Sequence, residues 1–593
     1  MLREWRQNSS LANQVWRELC VNAGLSDYES DDDWESLSLS PDWWDSSWTA
    51  GQGQKIPIEK RRRAALLRGL LITADHMASA HQSLPPILKL SELKMKYPPR
   101  PFQSKAGGTL GSAILRAPTG SGKTEAALLW AAHNQTENGR LLYILPYTAA
   151  INAMHRRLQE SFPSSESSIG VLHGRAAHHL YGRMREDYSG DRHRAQKEAA
   201  SRARLAKEMY YPVRVCTPHQ LLRYALHGRG WEQMLTDLPG GCLIFDEIHS
   251  YDAALTGLTL GAARLLVQEF GCKALFASAT LPNFLERLIQ EVVPCVVVEP
   301  DSLLLEDREV MDRKRHNVRV STGNVLTAVP EILEQAKSGL TVLVVCNHVK
   351  SAQQTYSALK PYLGDAVVLF HGRFNMEDRR SIEHGLSTLL LPKILVATQV
   401  VEVSLDIDFH VGYFEPAPID ALIQRMGRVN RRALPERTPA TITLFSESIS
   451  PHELYEKKLT DSTLNKLATI HNPLGEADLL RLCNEIYGDG YQGQQKVEFE
   501  EKLKHPFFTQ FEKYLIAGRS ESWVEQISAD NNRIDVLPRS LIERYERLSK
   551  AGLWLDADAL LVNIRFHGGL QIDRSGDPHV INAEYSSTMG LLL

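Results

Sequence analysis

Twelve short runs of aliphatic and β-branched residues limit what this chain can fold into. Seven lie between about residues 100 and 300: SAILRAP, RLLYILP, SIGVLHG, VRVCTP, CLIFDE, KALFASAT and CVVVEP. Five more follow: LTVLVVCN, AVVLFHG, KILVATQV, VGYFEP and TITLFS. Each is nearly continuous in apolar residues, as required of a strand covered on both faces, and amphipathic stretches of helical length separate them. That alternation predicts two tandem doubly wound α/β lobes with parallel sheets. A charged connector over 301–319 divides them. Past about residue 450 the pattern turns helical and ends in Gly-punctuated runs (IRFHGGLQIDRSGDPHVI), which reads as a smaller helical and mixed accessory domain. The expected division is 1–95, 96–310 for lobe 1, 311–450 for lobe 2 and 451–593 for the accessory domain.

The chemistry-bearing segments sit at the ends of these runs. In APTGSGKTEAALLWAAH (117–133) an apolar strand precedes a Gly-rich turn, and a helix with no β-branched residue after Thr124 follows it. This is the context of a phosphate-binding loop. Gly120 and Gly122, with Thr119 and Ser121 between and beside them, let backbone N–H groups converge on an anion at a helix N-terminus. Lys123 can reach the β- and γ-phosphates of ATP, Thr124 can hold Mg²⁺, and Glu125 opens the helix. Ala117 stands where the general pattern has Gly. In CLIFDEIHS four apolar residues lead to two carboxylates: Asp246 can hold the Mg²⁺ shell and Glu247 can position or deprotonate a water.

With 43% hydrophobic residues, 23% charged residues and a net charge of -4, the chain is not coated in basic charge, so any nucleic-acid site must be a local groove. The seven cysteines form no CxxC and no zinc-spaced cluster, which suits a reducing compartment. The start, MLREWRQNSS, has no apolar signal core, and no run of ~18 apolar residues occurs. The expectation is a cytoplasmic protein with no membrane association.

Six motifs in fixed order over residues 103–431 resemble those of superfamily 2 helicases. Gln103 in RPFQ resembles the adenine-reading glutamine ahead of the phosphate loop. LPYTAAINAM and CTPHQLL resemble strand-tracking motifs of lobe 1, and Ser278-Ala279-Thr280 resembles the motif coupling hydrolysis to movement. ATQVVEVSLDID and QRMGRVNRR resemble the last two motifs of lobe 2. The resemblance implies RecA-like lobes, with Gln424, Arg428 and Arg431 completing the catalytic set and the two arginines acting as fingers. Their three-residue spacing predicts one helix face for both. Thr148, Thr217 and Thr398 become either contacts to strand phosphates or simple strand-end caps.

DEIHSYD, ATQVVEVSLDIDF, QRMGRVNRR and LFHGRFNMEDRR are similar to the helicase subunit of type I CRISPR interference systems over roughly 60–450. That likeness implies an ATP- and Mg²⁺-dependent motor on single-stranded DNA, moving 3′ to 5′ after recruitment by an RNA-guided CRISPR surveillance complex. An RNA-directed DExH helicase and an ATP-dependent recruitment adaptor remain alternatives. Many members carry an HD nuclease domain, and LLRGLLITADHMASAH (66–81) resembles its last helix, with Asp75 in a ligand position. No histidine precedes Asp75 and no His-Asp dipeptide occurs, so the expectation is an incomplete site. The fragment is then a remnant that packs on lobe 1, or the helicase half of a split system whose HD nuclease is a separate subunit.

Two further stretches are ambiguous. Residues 174–208 hold Arg175, Arg183, Arg185, Arg192, Arg194, Arg202 and Arg204 with interleaved acids, which reads as a solvated helix face or a DNA guide; His178 and His179 among them read as surface residues. The acidic ESDDDWES and the tryptophans Trp34, Trp43, Trp44 and Trp48 read as a disordered or partner-docking segment.

Overall fold

The computed structural model describes residues 58–83, 87–137, 139–162, 167–188, 190–388, 391–402, 406–432, 437–452, 454–488, 490–515, 533–566 and 570–593. The acidic and Trp-rich segments lie outside the described residues.

Helix α1 (Ile58–Ser79) leads into lobe 1. All seven predicted runs are strands there: β1 (Ala113–Arg116), β2 (Leu141–Ile144), β3 (Ile169–Leu172), β4 (Val213–Cys216), β5 (Cys242–Asp246), β6 (Lys273–Ser278) and β7 (Val296–Val298). They form one parallel sheet in the order β3-β4-β2-β5-β6-β1-β7. The helices that matter below are α2 (Pro101–Gly107), α3 (Lys123–Asn134), α4 (Thr148–Ser161), α5 (Ala176–Asp187), α6 (Arg192–Lys207) and α7 (Ala253–Phe270). β1, β2, β4 and β5 are buried almost without interruption, which is why their sequences do not alternate.

Lobe 2 is a second parallel sheet, in the order β10-β11-β9-β12-β13-β8. Its strands are β8 (His316–Ser321), β9 (Val342–Val345), β10 (Val367–Phe370), β11 (Ile394–Ala397), β12 (Val411–Phe414) and β13 (Ala440–Phe445), with helices α8 (Met376–Thr388) and α9 (Ile419–Met426). β8 corrects the expectation of a plain connector over 301–319. HNVRVS is the sheet's edge strand and is only partly covered, so it carries Asn and Arg instead of an apolar run.

Residues after 450 do three different things. Helix α10 (Glu476–Tyr487) buries Leu479, Leu482 and Cys483 in the core of lobe 2. Helix α11 (Gly493–Leu503) and the aromatics Phe507, Phe508 and Phe511 join the core of lobe 1 beneath α7. A third unit contains helix α12 (Trp554–Asp558) and a four-stranded sheet of β14 (Arg533–Pro538), β15 (Val562–Arg565), β16 (Ile572–Asp573) and β17 (His579–Ile581), in the order β15-β14-β17-β16. This unit meets α5 and α6 through α12 and the turn before it.

That contact engages part of the cationic segment, while Arg183, Arg194 and Arg204 stay exposed, as on a solvated helix face. Arg175 pairs with Asp535 at 2.6 Å, Arg185 and Arg192 face Asp556 at 3.5 and 3.7 Å, and Tyr181 donates its hydroxyl to Asp556 at 2.7 Å. These pairs therefore join the C-terminal unit to lobe 1, through α12 and β14. His178 and His179 are half-buried rather than exposed. His179 Nε2 lies 3.2 Å from Nδ1 of the buried His155. Burial, with Arg380 close to His178, holds His178 down at about 4 and His179 well below the usual imidazole range.

Helix α1 packs on lobe 1. Leu70, Ala74 and Met77 are buried against Ala206, Tyr210 and Tyr211. Gly69 meets the 232–233 backbone so closely that a Cβ there would lie 2.3 Å from the Glu232 carbonyl oxygen. Asp75 neighbours His76, which pairs with Glu208 at 2.5 Å. Among the described residues no group of three or more His, Cys, Asp or Glu could hold a metal ion. No described helix is long and apolar enough to cross a membrane.

Candidate functional site

Sheet order brings the separate motifs together. β6 lies between β5 and β1, with Arg116 opposite Ser278 and Asp246 opposite Ala277. The carboxyl ends of three adjacent strands therefore present the Gly-rich loop, the acidic pair and Ser278 side by side, the usual ligand edge of an open parallel sheet. Ala117 donates to the Ser278 carbonyl at 3.2 Å and Glu247 to the Ala277 carbonyl at 2.9 Å, which ties both loops to β6.

The loop needs its glycines. Gly120 and Gly122 have φ of +74° and +97°, and a Cβ on Gly122 would fall 2.2 Å from Gln103 Nε2. Gln103 is buried and uses both ends of its amide. Its Nε2 donates to the Gly122 carbonyl at 2.9 Å and its Oε1 accepts from the Arg100 N–H at 2.7 Å. In this arrangement Gln103 braces the loop against α2.

Lys123 is the first residue of α3 and its ammonium sits between the acids, 2.7 Å from Glu247 Oε1 and 3.2 Å from Asp246 Oδ1. Burial would lower its pKa, but the two carboxylates outweigh burial and hold it above the ordinary lysine value. Burial likewise acts to raise Glu247, and Lys123, His249 and Arg428 reverse it, so its carboxyl lies below the usual range. Glu247 also sits at φ +55°, an uncommon backbone state for a side chain of this size. Asp246 Oδ2 accepts the Tyr143 hydroxyl at 2.8 Å, and that hydroxyl also interacts with Thr124. The metal-ligand pair expected from sequence, Thr124 and Asp246, thus lies within reach of one bridging oxygen.

Two buried atoms at this edge have no hydrogen-bond partner among the described residues: Ser121 Oγ in the loop and Glu247 Oε2 beside it. Orphaned polar atoms at such depth are uncommon, and a phosphate with its cation and water would satisfy both. The residues present therefore fit a Mg²⁺–triphosphate. Thr119, Thr124 and Glu125 are already engaged by arginines. Arg315 donates to Thr119 Oγ1 at 3.0 Å, and Arg157 of α4 donates to Thr124 Oγ1 at 3.0 Å and pairs with Glu125.

Lobe 2 closes the site from the other side. Arg428 donates from Nε and Nη2 to the carbonyls of Val401 and Glu402, both at 2.7 Å. Burial and the neighbouring Arg431 lower its pKa, while Glu247 opposes them. Arg431 pairs with Asp406 at 3.1 Å, and its N–H donates to Asp408 at 2.7 Å. The expectation of a shared helix face is corrected here: α9 stops at Met426, Gly427 caps it, and both arginines lie in the turn beyond, where Asn430 has φ +48°. That turn is pinned by Phe409 N–H to the Arg428 carbonyl at 2.9 Å.

His249 joins the lobes, a role the sequence reading did not assign. Its Nδ1 is 2.7 Å from Ser278 Oγ and its Nε2 is 3.2 Å from the Gln424 side-chain amide. The Gln424 Nε2 amide donates to His249 Nε2, so the ring carries its proton on Nδ1 and donates it to Ser278 Oγ. Ser278 Oγ also accepts from the Thr280 N–H at 3.1 Å. Ser278, His249 and Gln424 form one chain across the cleft, and Thr280 steadies its first member.

The three threonines do not act as caps. Thr217 and Thr398 precede short helices without a side-chain cap bond, and Thr148 is the first residue of α4. Thr148 is exposed and Thr398 is buried, following β2 and β11 respectively. The sequence marked Asp252 only as part of DEIHSYD; it caps α7 by accepting from the Leu255 N–H at 2.7 Å.

Comparison with known proteins agrees with this geometry. A DEAD/DEAH box helicase family model matches residues 100–288, and a model described as CRISPR-associated nuclease/helicase Cas3, C-terminal, matches 338–434. A putative CRISPR-associated nuclease/helicase Cas3 of Methanocaldococcus jannaschii is 26% identical over 425 residues, covering 68% of this chain and 56% of that protein. The chain thus spans about half the length of the curated relatives it matches. Crystal structures show the same fold: T. fusca Cas3 with ADP superposes with a TM-score of 0.64 at 18% identity, covering 90% of this chain and 79% of that one. A structure titled CRISPR RNA-guided surveillance complex, pre-nicking, contains a chain that matches with a TM-score of 0.55 at 17% identity over 90% of this chain and 77% of its own. With the phosphate loop, the acidic pair and the arginine turn gathered at one cleft, the two lobes are similar to the helicase lobes of Cas3 proteins.

Proposed function

We propose that this chain is an ATP-driven translocase and helicase on single-stranded DNA, acting in CRISPR interference. The observation that carries the reading is Lys123 held between Asp246 and Glu247 at a cleft whose far wall supplies Arg428 and Arg431. A triphosphate there takes Lys123 from the two carboxylates. Glu247 then loses the cation that keeps its pKa low, while burial remains, so it becomes a better base for the attacking water. Thr124 and Asp246 would hold Mg²⁺, which supplies charge neutralisation on the β- and γ-phosphate oxygens. Arg428 and Arg431 spread the charge that develops on the transferred phosphoryl group. His249 carries the event from Ser278 to Gln424, so closure of the lobes depends on nucleotide and opening follows hydrolysis. Thr148, Thr217 and Thr398, at the carboxyl ends of β2, β4 and β11, contact the strand that this cycle moves.

The 3′ to 5′ direction and recruitment by an RNA-guided surveillance complex follow from the family likeness. The test is a duplex with a single-stranded 3′ tail, incubated with ATP, Mg²⁺ and added Mn²⁺, Co²⁺ or Ni²⁺, then run on native and denaturing gels. A full-length displaced strand, lost in Asp246→Ala and Arg431→Ala, is the expected result. Turnover near wild type in either variant would overturn the site. Fragments would reveal a nuclease within the chain, ATPase stimulated by RNA alone would move the substrate to RNA, and biological activity surviving Lys123→Ala would favour an adaptor.

A further inference from the structure

We propose that Arg315 is a third lobe-2 arginine for the nucleotide's phosphates, with the Glu476 carboxylate competing for its guanidinium. The inference rests on reading the cleft as a nucleotide site. No motif includes Arg315: it precedes edge strand β8 in the charged DRKRHN stretch.

Its backbone is fixed on three sides. The Arg315 N–H donates to the Leu474 carbonyl at 3.2 Å, and its own carbonyl accepts from Ala440 N–H at 2.8 Å and Asn430 Nδ2 at 3.2 Å. The last bond ties it to the turn that carries Arg428 and Arg431. The side chain crosses the lobe boundary and is 5% exposed, and its Nη2 donates to Thr119 Oγ1 at 3.0 Å. Thr119 is adjacent to Gly120 in the phosphate loop, so the guanidinium already stands at the rim of the anion cradle.

The same nitrogen pairs with Glu476, the first residue of α10. A guanidinium has five N–H donors in a planar fork suited to phosphate, and both of these contacts use one nitrogen. The surroundings repeat the arrangement. Arg157 pairs with Glu125, Arg431 with Asp406, and Arg315 with Glu476, all around one loop. Arg431 is close enough to Arg315 and Arg157 that their charges help burial to lower its pKa. Cations gathered this closely repel one another unless acids or a polyanion lie among them. A triphosphate carries enough charge to replace the carboxylates.

A purely structural Arg315–Glu476 pair would make a different prediction, because either partner's loss would lower stability and leave nucleotide affinity alone. Competition predicts opposite shifts in affinity. The experiment compares the full chain with Arg315→Ala, Arg315→Lys and Glu476→Gln, reading the Kd of a fluorescent ATP analogue, the KM and kcat for ATP, and the thermal unfolding midpoint. A charge-assisted contact to phosphate sets the expected size: Arg315→Ala raises Kd and KM roughly tenfold, with Lys in between. Removing the competitor lowers both by roughly threefold in Glu476→Gln. Wild-type affinity in Arg315→Ala, or shifts of the same sign in Arg315→Ala and Glu476→Gln, would overturn the proposal while leaving the nucleotide site intact. Failure of the wild-type chain to bind the analogue any better than Lys123→Ala would overturn the site and this role with it.

Discussion

Replacing Lys123 with alanine tests the electrostatic core of the site without any nucleotide. The ammonium lies 2.7 Å from Glu247 and 3.2 Å from Asp246, and the three side chains are 11, 26 and 7% exposed. Removing one partner of a buried ion pair typically costs about 3–5 kcal/mol, because the opposite charge is left behind. Glu247 keeps some contact with solvent, which places the loss near about 3 kcal/mol. For a cooperative unit the size of one lobe, each kcal/mol moves the midpoint by roughly 2–4 °C, so the first thermal transition should fall by about 6–12 °C near neutral pH. The deficit must also depend on pH. In the wild type Glu247 lies below its ordinary value of 4.5, so its contribution is present above that value and is lost as pH falls through the folded value. Lys123 lies above its ordinary value of 10.5, so its contribution is fully present below that value and is lost only as pH rises through the folded value. In Lys123→Ala only His249 and Arg428 still oppose burial at Glu247, so its pKa moves up and protonation relieves the variant first. Differential scanning fluorimetry should show the gap at its widest between about pH 6 and 9 and narrowing toward about pH 4. A deficit of equal size at about pH 4 and pH 7.5 would refute the carboxylate account.

Other parts of the molecule give independent checks. His249→Ala breaks the chain from Ser278 to Gln424; DNA-stimulated kcat should fall about tenfold while nucleotide Kd stays within about twofold, and equal loss of both in titrations would assign His249 to binding instead. Gly69→Ala forces a Cβ to 2.3 Å from a backbone oxygen that cannot turn away, so α1 should lift from lobe 1 at a cost of about 2–3 kcal/mol. Protease sensitivity within 58–79 reads that loosening directly. Burial holds His155 and His173 at about 4 against an ordinary 6.5, so they stay neutral in the fold and the protein loses stability as pH falls from 6.5 toward 4. His155→Asn should flatten the midpoint's slope over that window, and an unchanged slope would remove the cluster from acid unfolding.

Strands buried on both faces advertise themselves. β1 to β6 and β9 to β13 each leave an apolar run, because the sheet offers most of those residues no polar surroundings. β8 stayed hidden because an edge strand can carry the partly covered Asn317 and the exposed Arg319 without penalty. The phosphate loop and the acidic pair were legible for a different reason: their chemistry depends on neighbours in sequence, with glycines next to a lysine and carboxylates directly after a strand.

What escaped the sequence is whatever two distant segments make together. Arg175 and Asp535 are 360 positions apart, and nothing local distinguishes an arginine bound for such a partner from one bound for solvent or DNA. His249 reads as the end of an acidic motif until sheet order sets it between Ser278 and Gln424. Arg428 and Arg431 were found by type but misplaced, because three-residue spacing fits a turn after Gly427 as well as it fits a helix. The same limit governs Arg315. A motif marks a site where one stretch of chain supplies the chemistry, whereas a site at the boundary of two lobes recruits residues by geometry alone. The residues that sense whether such a boundary is closed should therefore lie between the motifs, as Arg315 does with its hydrogen bond to Thr119.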